Sequence, residues 1–198
     1  MIGAVTLGLP RIEHHRTPLG IGERAPRISW EVTSAPNGWV QTAYRLAFSR
    51  GGADLELLEV ESADQVLVPW PTTPLVSRER VGVRVAVRGA DGAWSELSGE
   101  TVVEAGLLDP GDWTARPIGA YWEEDPRSDD RRPSLVRREF RVREGLVRAR
   151  LYASAHGLYE AEINGSRVGD DALSPGWTVY GRRLRYYTYD VTGLLASG

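Results

Sequence analysis

Apolar and polar residues alternate along most of this chain with a period of two, the spacing of β-strands, and helical periodicity is nearly absent. Short β-branched and aromatic runs recur, broken by clusters of Gly, Pro, Asp and Ser, which is the rhythm of sandwiches and barrels. The first run is Val5 to Leu9, followed by a Pro- and Gly-rich loop through Pro18, Gly20, Gly22 and Pro26. Arg27 to Val32 puts Ile28, Trp30 and Val32 on one face, which makes Trp30 a core residue. Trp39 to Phe48 places Val40, Thr42, Tyr44, Leu46 and Phe48 in phase. Asp54 to Val60 and Gln65 to Val68 are shorter runs. Arg80 to Val87 sets Val81, Val83, Val85 and Val87 against Arg80, Arg84 and Arg88. Asp91-Gly92 turns the chain into a last strand containing Val102 and Val103. Seven runs in roughly the first 105 residues match the size and strand number of one immunoglobulin-like sandwich.

Asp, Pro and Gly cluster in Gly106 to Trp113, where the strand pattern stops. A second set of strands is expected over Ile118 to Trp122, Ser134 to Val142, Val147 to Ala155, Leu158 to Ile163, Ser166 to Val168 and Leu184 to Val191. Asn164-Gly165 is the strongest hairpin signal in the sequence, and Leu173 to Tyr180, with Pro175-Gly176, is a connection. Five or six strands are fewer than the roughly eight of a jelly roll, so the second body is expected to be the first part of such a sandwich. The fold class is therefore all-β. Residues 1–106 form a fibronectin type III or immunoglobulin-like sandwich, 107–116 a linker, and 117–198 the N-terminal part of a jelly-roll-like β-sandwich.

Composition narrows the chemistry. The formal net charge is -3 and nothing favours a nucleic-acid partner. All 24 basic residues are Arg, and the richest basic stretch, Arg131 to Arg150, reads as a solvated strand face. No cysteine is present, so disulfides, thiolate metal sites and cysteine nucleophiles are excluded. The first residues lack the pattern of a signal peptide and no apolar run is long enough to span a membrane, so a cytoplasmic protein with no membrane partner is expected.

Catalytic constellations are sparse. His14-His15 sits in a polar loop, and His156 at a strand end has no ligand-spaced partner. Glu160 and Glu162 stand side by side on one strand face, whereas catalytic carboxylates must oppose each other across a sugar. Glu123, Glu124 and Asp125 read as a loop. Trp177, in a Gly/Pro connection, is suited either to stacking on a sugar ring or to pinning the connection onto the sandwich, and the second is the favoured reading. Asn164, Asp170 and Asp171 offer oxygen ligands, although Asn164 is explained first by its turn.

Several stretches resemble the N-terminal region of bacterial α-L-rhamnosidases of glycoside hydrolase family 78. They are Pro18 to Ile21 with PRISW (26–30), QTAY (41–44), ESADQVLV (61–68), GLLDPGDW (106–113), YEAEINGSRVGDDALSPGWTVY (159–180) and YTYDV (187–191). The resemblance implies the non-catalytic front of an inverting enzyme that removes terminal α-L-rhamnosyl residues. It implies a rhamnose-containing carbohydrate as ligand and an intramolecular catalytic (α/α) barrel, which carries the acid and base carboxylates, as partner. No catalytic residue is carried over. Some relatives bind rhamnose with calcium in the second sandwich, which makes Trp177, Tyr180 and Asp171 the carbohydrate-binding candidates and Asn164 and Asp170 the metal candidates, with no other cofactor. A stand-alone rhamnose-binding module and a ligand-free structural tandem are the alternatives.

Overall fold

The computed structural model describes residues 4–51, 56–122 and 133–195. The chain divides into two compact units, Met1–Trp113 and Thr114–Gly198.

The first unit has a five-stranded sheet and two short antiparallel pairs, β1 (Thr6–Leu7) on β5 (Val32–Ser34) and β2 (Arg11–Ile12) on β4 (Ile28–Ser29), which together make the second layer. Ile28 and Val68 exchange backbone hydrogen bonds and Trp30 N donates to Gln65 O, so the Gln65–Val68 run borders this layer. The larger sheet has the order β3 (Leu19–Ile21), β9 (Thr101–Ala105), β8 (Arg80–Gly89), β6 (Gln41–Arg50), β7 (Glu56–Val60). All its pairs are antiparallel except β3 with β9. The fold expected for this region is present. Sixteen buried side chains from both layers fill the space between the sheets, including Ile12, Ile28, Trp30, Leu46, Phe48 and the four valines of β8.

Two features of this unit differ from the alternation in the sequence. Leu19–Ile21, placed in the first loop, is a strand, with Gly20 at φ 74 where a side chain would be strained. In β6 the register shifts between Gln41 and Ala43, so Gln41 turns inward while Val40 and Thr42 face solvent. The inward Gln41 has a use: its carbonyl accepts from Trp30 Nε1 at 3.1 Å, and its amide donates to Ser62 O and Asp64 O. A core tryptophan thereby has its N–H satisfied.

The outer face of the large sheet alternates alanine and arginine. Cross-strand pairs Ala43–Arg88, Arg45–Ala86 and Ala47–Arg84 bury each alanine under an arginine stem. The guanidinium groups meet carboxylates, Arg45 with Glu59 at 2.8 Å and Arg84 with Glu100 at 3.6 Å, and Arg88 with Glu61. Arg45 and Arg88 also lie over the Trp94 ring.

The second unit is sparser. β10 (Arg150–Ala153) pairs antiparallel with β13 (Tyr187–Asp190), and β11 (Glu162–Ile163) pairs with β12 (Ser166–Arg167). Val168, Tyr189 and Val191 are the buried apolar residues at its centre. The strands expected over Ile118–Trp122 and Ser134–Val142 do not form, so the described part of the Arg-rich stretch ahead of β10 is largely exposed, as expected, but is not a strand face. A strand needs a neighbouring edge for its backbone groups, and no described segment supplies one, so Ile118, Leu135 and Phe140 stay exposed. The start of the Asp54–Val60 run and the Glu123, Glu124 and Asp125 loop lie outside the described residues.

Candidate functional site

The residues with candidate chemistry converge on the second unit, where the hairpin and the following connection pack against β13. Asn164 (φ 52) and Gly165 (φ 77) form the two-residue turn between β11 and β12, both in the left-handed region that a type I′ hairpin needs. The Asn164 amide donates to Leu194 O at 2.9 Å and ties the turn to the 3₁₀ turn at Thr192–Leu194. Arg167, on the returning strand, donates to Asp171 O at 2.7 Å, while Asp170 and Asp171 are exposed. Calcium takes six to eight oxygens. Among the described residues no group of three or more His, Asp or Glu is placed to hold a metal ion, and the Asn164 side chain is occupied in fixing its turn.

The connection from Leu173 to Arg183 is held at several points. Tyr159 N donates to Ser174 O at 2.8 Å, and Tyr189 Oη lies 3.5 Å from Ser174 Oγ. Tyr159 and Tyr189 hydroxyls are 3.1 Å apart, and Tyr159 Oη is 3.4 Å from Ala153 O. Burial, reinforced by the Tyr189 hydroxyl, pushes the Tyr159 phenol well above its ordinary range and keeps it neutral. Gly169 lies against Tyr189, since a Cβ there would come within 2.5 Å of the ring.

Tyr180 takes the pinning role for which the sequence favoured Trp177. The Tyr180 hydroxyl accepts the Gly157 N–H at 2.9 Å, and its ring stacks on His156 at 5.0 Å between centroids and 4° between planes. Tyr180 therefore pins the connection to the 156–158 loop. Trp177, expected to do this, is 81% exposed. Of the carbohydrate candidates, Trp177 and Asp171 lie open to solvent and one face of the Tyr180 ring is covered.

Other candidate chemistry is dispersed. Glu160 and Glu162 are exposed beside each other, with Glu160 3.8 Å from Arg167. The first unit carries a cleft of about 270 Å³ lined by Arg11, His14, Ser29, Glu31 and Val66, remote in sequence from the candidate residues. Its Glu13 wall is closed by Arg27, whose guanidinium donates to both carboxylate oxygens.

These features define a class: an immunoglobulin-like sandwich followed by a small antiparallel β unit with an exposed aromatic loop. Residues 9–109, more than half the chain, match the family described as the Rha78A-like N-terminal immunoglobulin domain, and the chain belongs to that family. Residues 144–198 match the α-L-rhamnosidase N-terminal domain. An α-L-rhamnosidase of Formosa agariphila is 34% identical over 94% of this chain and 21% of its own length. One from Alteromonas sp. (strain LOR) is 33% identical over 91% of this chain and 21% of its own. Among solved structures, the native α-L-rhamnosidase of Aspergillus terreus matches 98% of this chain and 23% of its own, with a TM-score of 0.80 and 41% identity. The α-L-rhamnosidase of Dictyoglumus thermophilum matches all of this chain and 24% of its own, with a TM-score of 0.86 and 25% identity. The chain thus spans about a fifth of the length of the curated relatives it matches.

Proposed function

We propose that this chain is the non-catalytic N-terminal region of an α-L-rhamnosidase, a glycosidase that hydrolyses terminal α-L-rhamnosyl residues by inversion. One observation carries the reading: nearly the whole chain, but only about a fifth of each relative, is matched by proteins named α-L-rhamnosidase. The bond-cleaving carboxylates then belong to a catalytic domain elsewhere in the same polypeptide, and these two units support it. Glu160 and Glu162, exposed beside each other, agree with this division of labour. The test is hydrolysis of an aryl α-L-rhamnoside. The 198-residue chain is expected to be inert and the full-length polypeptide carrying it to be active; turnover by the pure 198-residue chain would overturn the reading.

The exposure of Trp177 supports a second reading, in which this region binds L-rhamnose, with or without calcium. Calorimetry separates the two: heat at millimolar L-rhamnose that is lost in Trp177→Ala favours the sugar, and calcium dependence would bring Asn164 and Asp170 back as ligands.

A further inference from the structure

The chain has two asparagines, Asn37 and Asn164, and a glycine follows each of them. Asn-Gly is the dipeptide in which an amide side chain is most open to attack by its own backbone, because glycine has no side chain to shield the next peptide nitrogen. The two pairs stand in different turns. Asn37 and Gly38 are exposed on the loop between β5 and β6. Trp39 N donates to Pro36 O at 3.1 Å, Gly38 has φ 73 and Asn37 lies outside the left-handed region, which is the pattern of a type II turn. Asn164 and Gly165 are exposed too, but both are left-handed and the β11–β12 pairing closes their turn.

Hydrogen bonding separates them further. Asn164 Nδ2, the group that would have to leave, donates to Leu194 O at 2.9 Å. The Asn164 carboxamide carbon can meet Gly165 N only after that bond breaks and the hairpin turn opens. Among the described residues, neither the Asn37 carboxamide nor Gly38 N has a hydrogen-bond partner. One backbone bond closes the Asn37 turn, and no atom beyond the chain neighbours lies within 4 Å of where a Gly38 Cβ would stand. The Asn37 side chain is thus free to swing onto the next backbone nitrogen, whose N–H is open to solvent base.

We infer that Asn37 is a site of spontaneous deamidation in this protein and that Asn164, in the same dipeptide, is shielded from it by its turn. Solvent base removes the Gly38 N–H proton, and the nitrogen attacks Asn37 Cγ. The N–Cγ bond forms, the Cγ–Nδ2 bond breaks, and ammonia leaves with a proton taken from water. Water then opens the cyclic imide at either carbonyl and leaves aspartate or isoaspartate at position 37. Either product adds one negative charge to the formal net of -3. Isoaspartate also routes the backbone through the former side chain. The extra methylene falls in the exposed turn, ahead of Gln41 and its core hydrogen bond to Trp30. This chemistry is independent of the rhamnosidase reading.

The test ages the 198-residue chain in mildly alkaline buffer, folded and in denaturant, and follows it by tryptic peptide mass spectrometry. Residues 28–45 and 151–167 are the arginine-bounded peptides that report the two sites separately. In denaturant both asparagines are expected to convert at comparable rates. In the folded chain Asn37 is expected to stay within about threefold of its denatured rate, while Asn164 slows by at least about tenfold, because it reacts only through local opening. The product at 37 is expected to contain isoaspartate as well as aspartate, and its rate of formation to rise with pH. Asn37→Gln should abolish the fast conversion and leave Asn164 unchanged. Loss of the Asn164 amide as fast as that of Asn37 in the folded chain would overturn the inference, as would equal protection of the two. Aspartate alone at 37 would overturn the imide route.

Discussion

The two units of this protein are both antiparallel β structures, yet they handle apolar residues in opposite ways. The first closes sixteen buried side chains between two sheets and covers even its outer alanines with arginine stems. Among the described residues of the second, the apolar cluster at its centre has three buried members, while Leu135, Phe140, Val147, Leu173 and Trp177 face water. Stability of a small domain comes chiefly from the apolar area it removes from water. By that measure the first unit has the larger store of stabilising burial, and the second leaves more of its apolar surface in water. Its rigid features are local: a type I′ turn, a tyrosine pair and a stacked His156–Tyr180 clamp. Such features shape a loop for presentation better than they stabilise a domain.

Point substitutions sharpen this contrast. Phe48→Ala, which empties a fully packed site beside Trp70, is expected to cost about 3–5 kcal/mol in denaturant unfolding of the first unit. Gly169→Ala drives a Cβ into the Tyr189 ring at a position with φ 71. It is expected to cost about 1–3 kcal/mol, read as loss of the near-ultraviolet tyrosine signal of the second unit at lower denaturant. A smaller effect would mean that the second unit is less tightly packed than described.

Acid acts on both units. The Arg27 guanidinium holds the Glu13 carboxyl below its ordinary 4.5, and the Thr192 hydroxyl and N–H, with Arg150, hold Asp190 below 3.8. A carboxyl whose pKa is lowered by folding contributes stability above its unfolded value and loses it as pH falls through the folded value. Thermal stability should therefore decline on acidification below pH 4.5 in the first unit and below 3.8 in the second. Glu13→Gln and Asp190→Asn should each flatten the corresponding decline. Trp177→Ser should shift the stability of the 198-residue chain least, by less than about 0.5 kcal/mol, since that ring packs on little within it.

The first unit was the more legible of the two in the sequence, because alternation and burial coincide there. The β8 valines face the core as their spacing requires, and Trp30 lies with them. The misreadings have physical causes. A bulge at Gln41–Ala43 reverses which residues point inward, and a two-residue period carries no warning of it. Leu19–Ile21 reads as a loop because Gly20 and Pro18 mask a strand whose parallel partner lies some eighty residues away. In the second unit, Ser134–Val142 has strand-like alternation but no edge to join, since sequence periodicity reports capacity and not partnership. The Asn164 turn was legible because its chemistry is local. Which aromatic of the 173–180 connection turns inward was not, because that depends on where the Gly157 N–H and the His156 ring come to lie.

The contrast between the units is tested most directly by amide hydrogen exchange on the 198-residue chain. The account predicts that amides of β6 and β8 exchange only with global unfolding of the first unit, while those of β10 and β13 exchange through much cheaper local opening. Equal protection of the two strand pairs would contradict it.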